Sequence, residues 1–187
     1  MTSHSYLSPK CEVRESAIHK CGVFAKEEIK SGELVAIFGG DIITVDQTDD
    51  LPKEIFEDFV QVYEGIYLGH RLSPDFDDPF KINHSCSPNI GVKGQNLFVA
   101  RHDISIDQEI FFDYETTELP DKDWNIECNC GSPECRGSIN GEIWKDPAFQ
   151  KKNAGFFSWY LQEKINAYNQ ERERDSISGE KQSALST

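Results

Sequence analysis

Asn83-His84-Ser85-Cys86-Ser87-Pro88-Asn89 is the stretch on which the reading of this chain turns. Its proline and run of polar side chains suit neither a regular helix nor a central strand. It is therefore read as an irregular polar loop that presents an imidazole, a thiol and two carboxamides. About forty residues on, Cys128-Asn129-Cys130-Gly131-Ser132-Pro133-Glu134-Cys135 repeats the theme as C-x-C-x4-C around a Gly-Ser-Pro turn. Three thiolates so close in sequence can converge on one ion. A structural zinc takes four tetrahedral ligands at about 2.3 Å for sulfur, so the chain has to return a fourth from elsewhere. Cys86 is the leading choice, and a local disulfide plus a free thiol is the competing one. Cys11 and Cys21 fall on a hairpin pattern and read as small buried apolar residues. With Cys86 as fourth ligand, the metal ties the 128–135 segment to the loop carrying Asn83 and His84, and removing it unfolds that site.

Outward from these motifs the pattern is one of short strands. Gly22 to Ala25, Glu33 to Phe38, Leu97 to Ala100 and Glu109 to Tyr114 read as strands, the second entered through the turn Lys30-Ser31-Gly32. Leu51 to Val60 follows a proline-initiated helical pattern, and Tyr63-Glu64-Gly65-Ile66 a tight hairpin leading into Tyr67-Leu68-Gly69. Residues 71–80 are a proline- and aspartate-rich loop. Phe156, Phe157, Tyr160, Leu161, Ile165 and Tyr168 recur at three- and four-residue steps, which predicts an amphipathic helix of roughly fifteen residues docking on the core or on a partner. The division expected is a flexible arm over 1–10, a catalytic domain over 11–118, a zinc segment over 124–140, a helical extension over 141–170 and a disordered tail over 171–187.

Among 187 residues, a net charge of −14 gives solubility and attraction for basic partners such as lysine-rich tails, and it disfavours direct nucleic-acid binding, which needs a basic face. The longest apolar runs, such as Leu34 to Phe38, are far short of the roughly 20 residues of a membrane span. The first ten residues are polar, without the apolar core of a secretory signal, so an intracellular, reducing compartment is expected, where clustered cysteines indicate a metal or catalysis.

Taken in order, the Asn83–Asn89 stretch, Asp113-Tyr114 and the C-x-C-x4-C segment closely resemble the SET-domain protein-lysine methyltransferases that carry a post-SET zinc segment. The resemblance covers residues 11–140. It implies a mainly β fold, β-clip-like, of small sheets with a threaded, knot-like loop, plus the zinc-bound segment and a C-terminal helix. It implies S-adenosylmethionine as cofactor, a structural zinc on Cys86, Cys128, Cys130 and Cys135, and a lysine-bearing protein substrate, a histone tail among the options, with no membrane or nucleic acid bound directly. Tyr114 matches the catalytic tyrosine. Asn83, His84, Asn129 and the segment Lys20-Cys21-Gly22 match cofactor contacts, with Lys20 standing where the family has a glycine. Phe38 stands where the family has a second tyrosine, so either the site works with one fewer hydroxyl or Tyr63 or Tyr67 supplies one. Phe38, Tyr67, Phe111 and Phe112 are the expected channel walls, and Phe112 holds the position that tunes methyl count. The alternative function is an inactive SET-like binding module.

That chemistry suits these residue types. A neutral amine must attack a methyl carried on a sulfonium, but a solvated lysine has a pKa near about 10.4. A narrow apolar channel disfavours the ammonium and fixes the line of attack. No metal is needed in that step, which leaves the zinc a structural role.

Overall fold

Short strands with one buried face, punctuated by turns, fold here into small sheets rather than one large one. The computed structural model describes residues 5–52, 55, 59–71, 78–120 and 124–184. One four-stranded sheet has the order β1 (Tyr6–Leu7), β4 (Leu34–Ile37), β10 (Leu97–Ala100), β9 (Ile90–Lys93). A second has the order β2 (Cys11–Glu15), β3 (Cys21–Ala25), β11 (Glu109–Phe112), β8 (Asn83–His84). A three-stranded sheet joins β5 (Asp41–Thr44), β7 (Ile66–Gly69) and β6 (Val60–Tyr63), and β12 (Ile126–Glu127) pairs with β13 (Ser138–Ile139). The first two sheets share one core, with Val23, Ala25 and Ile110 from one and Val35, Val92 and Phe98 from the other, all buried. Each of the valine, isoleucine and phenylalanine side chains contributes about 1.5–3 kcal/mol when fully buried.

The pairing that positions the functional residues is β8 with β11. It is parallel, with Phe111 opposite Asn83 and Phe112 opposite His84. Parallel neighbours need a crossover, and residues 85–108 supply it by leaving for the other sheet as the β9–β10 hairpin. Asn89 closes the loop back: its side chain accepts from Phe111 N–H at 2.8 Å and donates to Glu109 O at 2.8 Å.

Several expectations change. The arm expected over 1–10 is tied down from Tyr6, whose strand pairs with β4 and covers its edge; residues 1–4 lie outside the described ones. Half of the helix expected over 51–60 also lies outside them; a short helix α1 (Val45–Thr48) precedes it, and Val60 already opens β6. The C-terminal stripe is divided. Pro147–Lys152 forms a short helix α2, whose Asp146 cap accepts from Ala148 N–H and Phe149 N–H and whose Pro147 suits a first turn. Phe156 and Phe157 lie in the connection, and α3 runs Trp159–Ala184, well past residue 170. Tyr160, Leu161 and Ile165 dock against Leu119, Trp144 and Phe149, so the apolar stripe faces the chain's own core. Among the described residues no helix is long and apolar enough to cross a membrane.

Gly40 sits at φ +135° beside β7, and a Cβ there would meet Gly69 O at 2.3 Å. Backbone cannot swing aside as a flexible side chain can. Gly40→Ala is therefore expected to cost about 2 kcal/mol or more in urea unfolding; a change under about 0.5 kcal/mol would refute this packing.

Candidate functional site

Four cysteines meet at one point. The Sγ atoms of Cys86, Cys128, Cys130 and Cys135 all lie within 4.8 Å of one another. Cys86 and Cys128 are 3.8 Å apart, and Cys128 and Cys135 are 3.6 Å apart. A tetrahedron with 2.3 Å metal–sulfur bonds has edges of about 3.8 Å, so both spacings fit an enclosed ion and neither fits a disulfide. None of the six cysteines is in a disulfide. Backbone amides face the sulfurs: Cys86 N–H points at Cys130 Sγ at 3.5 Å and Arg136 N–H at Cys86 Sγ at 3.4 Å. Such donors favour thiolate.

The cluster is anchored by a buried charge network. Arg136 reaches both oxygens of Asp113, at 2.9 and 2.7 Å, and Glu115 at 2.8 Å. Asp113 and Glu115 are only 1% and 2% exposed. The second oxygen of Glu115 accepts from Asn140 N–H and Gly141 N–H, so one carboxylate holds the chain that follows the cysteines. Burial lowers the Arg136 pKa, but the hydrogen bonds and charges of Asp113 and Glu115 outweigh it and leave a net rise.

Beside the cysteines, His84 packs its ring on Tyr114 at 5.2 Å. Burial pushes its pKa down to about 4; Asp113 opposes that shift and Arg136 adds to it. The imidazole is thus neutral near pH 7, and Nδ1 accepts from Tyr114 N–H at 3.2 Å. The Tyr114 hydroxyl donates to Ile82 O at 3.0 Å. Asn83 is held on the other side of β8, donating to Cys21 O at 2.9 Å and to Glu109 Oε1 at 2.8 Å. Gly22 allows this close approach: a Cβ would lie 2.1 Å from Glu109 Oε1 and 2.9 Å from Asn83 Nδ2, so both side chains would have to shift. Lys20, exposed, adopts φ +28°, in the left-handed region that favours glycine.

A narrow cavity of about 70 Å³ opens beside Tyr114, walled by Phe38, Phe80, Ile82 and Phe112 and flanked by Glu118 and Trp124. Phe38 stacks at 4.6 Å on both Phe80 and Phe98, and Phe112 lies 4.7 Å from Tyr114. The cavity and the thiol cluster are therefore linked through Tyr114, on which His84 packs, and Asn83 adjoins His84 on β8.

Two expected wall residues lie elsewhere. Phe111 sits on the opposite face of β11 from Phe112, because successive strand residues alternate. Tyr67 is buried with Ile43 on the three-stranded sheet, behind Phe59. Tyr63 is 52% exposed. Neither of these tyrosines lines the cavity, so Tyr114 is its one tyrosine among the described residues. Asn129 is exposed beside the thiols. Sequence reasoning missed Phe80, Ile82, Glu118 and Trp124; the first two immediately precede Asn83, which is the signal that could have found them.

A family model described as "SET domain" matches residues 20–115, just over half of the chain. Histone-lysine N-methyltransferase set1 of Dictyostelium discoideum is 32% identical over 146 residues, covering 70% of this chain and 9% of that protein. The H3 lysine-4 specific histone-lysine N-methyltransferase of Schizosaccharomyces pombe is 36% identical over 142 residues, covering 67% and 14%. Histone-lysine N-methyltransferase SETD1B of Homo sapiens is 34% identical over 152 residues, covering 72% and 7%. The chain thus spans between 7% and 14% of the length of these relatives.

Proposed function

The chain belongs to the SET-domain family, and from that premise we propose that it transfers methyl groups from S-adenosylmethionine to a lysine of a protein substrate. The observation that carries this reading is the narrow apolar cavity closed by Phe38, Phe112 and the Tyr114 side chain, with His84 packed on Tyr114 and Asn83 adjoining His84 on β8. When bound, the cofactor supplies an activated methyl on a sulfonium.

The chain's own residues do the rest. Phe38, Phe80 and Phe112 exclude water from the amine and hold its stem in line, and such confinement can supply several kcal/mol, about 7 or more in the best cases. The Tyr114 hydroxyl donates its proton to Ile82 O, so towards the cavity it would act as an acceptor, from an amine N–H or a polarised methyl. Neutral His84 holds the Tyr114 backbone and takes no proton. The four thiols would hold zinc as a staple with no part in the chemical step. The substrate we propose is a lysine-rich histone tail, which fits both the net charge of −14 and what the relatives' names state of them.

The test is mass spectrometry of core histones incubated with the full chain and heavy-methyl cofactor, which reads site and methyl count together. Tyr114→Phe is expected to lower the rate about a hundredfold while cofactor affinity changes by less than about threefold. A wild-type chain that binds cofactor and methylates no histone would instead favour a binding module.

A further inference from the structure

One charged side chain lies in a wall otherwise built of aromatic and aliphatic residues and has no part in the chemistry above. Glu118, half-buried, borders the cavity with Phe38, Phe112 and Tyr114. Its Oε1 is fixed by two donors, the backbone N–H of Gln61 at 3.0 Å and the Thr117 hydroxyl at 3.1 Å. Both orient the carboxylate and favour its ionised form. Its Oε2 has no hydrogen-bond or ion-pair partner among the described residues, where the other enclosed carboxylates, Asp113 and Glu115, are both claimed by Arg136. A carboxylate with no cation in an apolar wall costs free energy until a cation arrives or it takes a proton. An acidic group in that position selects for an ammonium.

We propose that Glu118 is the residue that recognises the incoming lysine ammonium and takes its proton. This rests on the methyltransferase reading above. In the step, an N–H bond of the ammonium breaks and an O–H bond forms on the Glu118 carboxylate. The nitrogen keeps the electron pair and attacks the methyl, and Glu118 later gives its proton to water. Burial pushes the Glu118 pKa up to about 7, against the two hydrogen bonds, which pull it down. A group poised there passes protons efficiently near neutrality. Among the described residues the titratable groups facing it are Tyr114 from its own segment and Tyr160 from α3, whose hydroxyl bonds Gln61 Oε1 and whose pKa is raised by burial and then by Glu118 and Glu64. Lys164 pairs with Glu64 on the outer side. The remaining lining residues are aromatic or aliphatic side chains that do not titrate.

The pH profile separates this role from a structural one. The wild type, drawing on its own base, should reach a plateau in kcat/KM on core histones above about pH 8. Glu118→Gln must wait for lysine that is already neutral, so its kcat/KM should rise about tenfold per pH unit towards the lysine pKa of about 10.4. The variant is expected to be down about a hundredfold near pH 7.5 and to recover most of that by about pH 9.5, with cofactor affinity by calorimetry within about threefold of wild type. A variant within about twofold of wild type, or one with a parallel profile, overturns the role of Glu118 and leaves methyl transfer standing. A wild type with no transfer at any pH overturns both.

Discussion

One zinc ion per chain is expected to leave on treatment with a strong chelator, and with it the cooperative unfolding transition of residues 124–140 and the binding of cofactor. The ion would hold Cys86, at 0% exposure in the Asn83–Pro88 loop, to three thiols more than forty residues away. The cluster's own apolar packing is small: Cys86, Cys128 and Ile139, with Trp124 and Tyr114 against them. Two-residue strands β12 and β13 add little, so metal binding has to supply the folding free energy of the segment. In isolated zinc-finger peptides that amounts to about 10–16 kcal/mol. Tyr114 and Trp124 touch both the cluster and the cavity, so loosening one opens the other. Metal stoichiometry, melting and calorimetry on the same sample check all three effects. Cys86→Ala should lower zinc affinity by roughly a hundredfold or more, since even an outer-shell change costs about 10–100-fold. A metal-free chain from zinc-replete cells that melts cooperatively and binds cofactor would end the staple reading.

Replacing Arg136 by methionine is expected to destabilise the chain by about 3–5 kcal/mol, because it leaves two enclosed carboxylates without their cation. Asp113 precedes Tyr114 and Glu115 follows it, and both bond the same guanidinium. The tyrosine is thus held from either side by charges that a residue of the zinc segment satisfies. Arg136→Lys should fall between, since one ammonium cannot span the geometry of the fork. Urea unfolding of the three proteins measures the series, and adding Asp113→Asn to the methionine variant should recover part of the loss. A methionine variant within about 1 kcal/mol of wild type would show that the network contributes little.

Much of the site was legible because its signals are local. The C-x-C-x4-C segment turns tightly enough for spacing alone to bring its thiols together, and a tetrahedral ion then demands a fourth ligand. Cys86, the one thiol in an irregular polar loop, was the natural choice, and it stands with the other three within 4.8 Å. The hairpin Val60–Gly69 was also readable, since Glu64-Gly65, with Gly65 at φ +68°, is a two-residue turn between apolar strands. The C-terminal stripe was legible as apolar spacing but not as a boundary: Phe157 packs beside Tyr160 from outside the helix, and periodicity does not register a break that falls between two buried residues.

The sequence by itself determined which groups were available: the three clustered thiols, the Asn83-His84 pair, the Asp113-Tyr114 step and the acidic balance. Only the tertiary structure decided which of them share a cavity. Phe112 faces it and Phe111 does not, because of a single step in the register of β11 against β8. Tyr67 packs behind Phe59, and Glu118 stands in the wall beside Gln61, 57 residues away. Periodicity and spacing are properties of neighbours along the chain. A cavity is made by segments far apart, and their meeting is set by which faces of the small sheets bury one another.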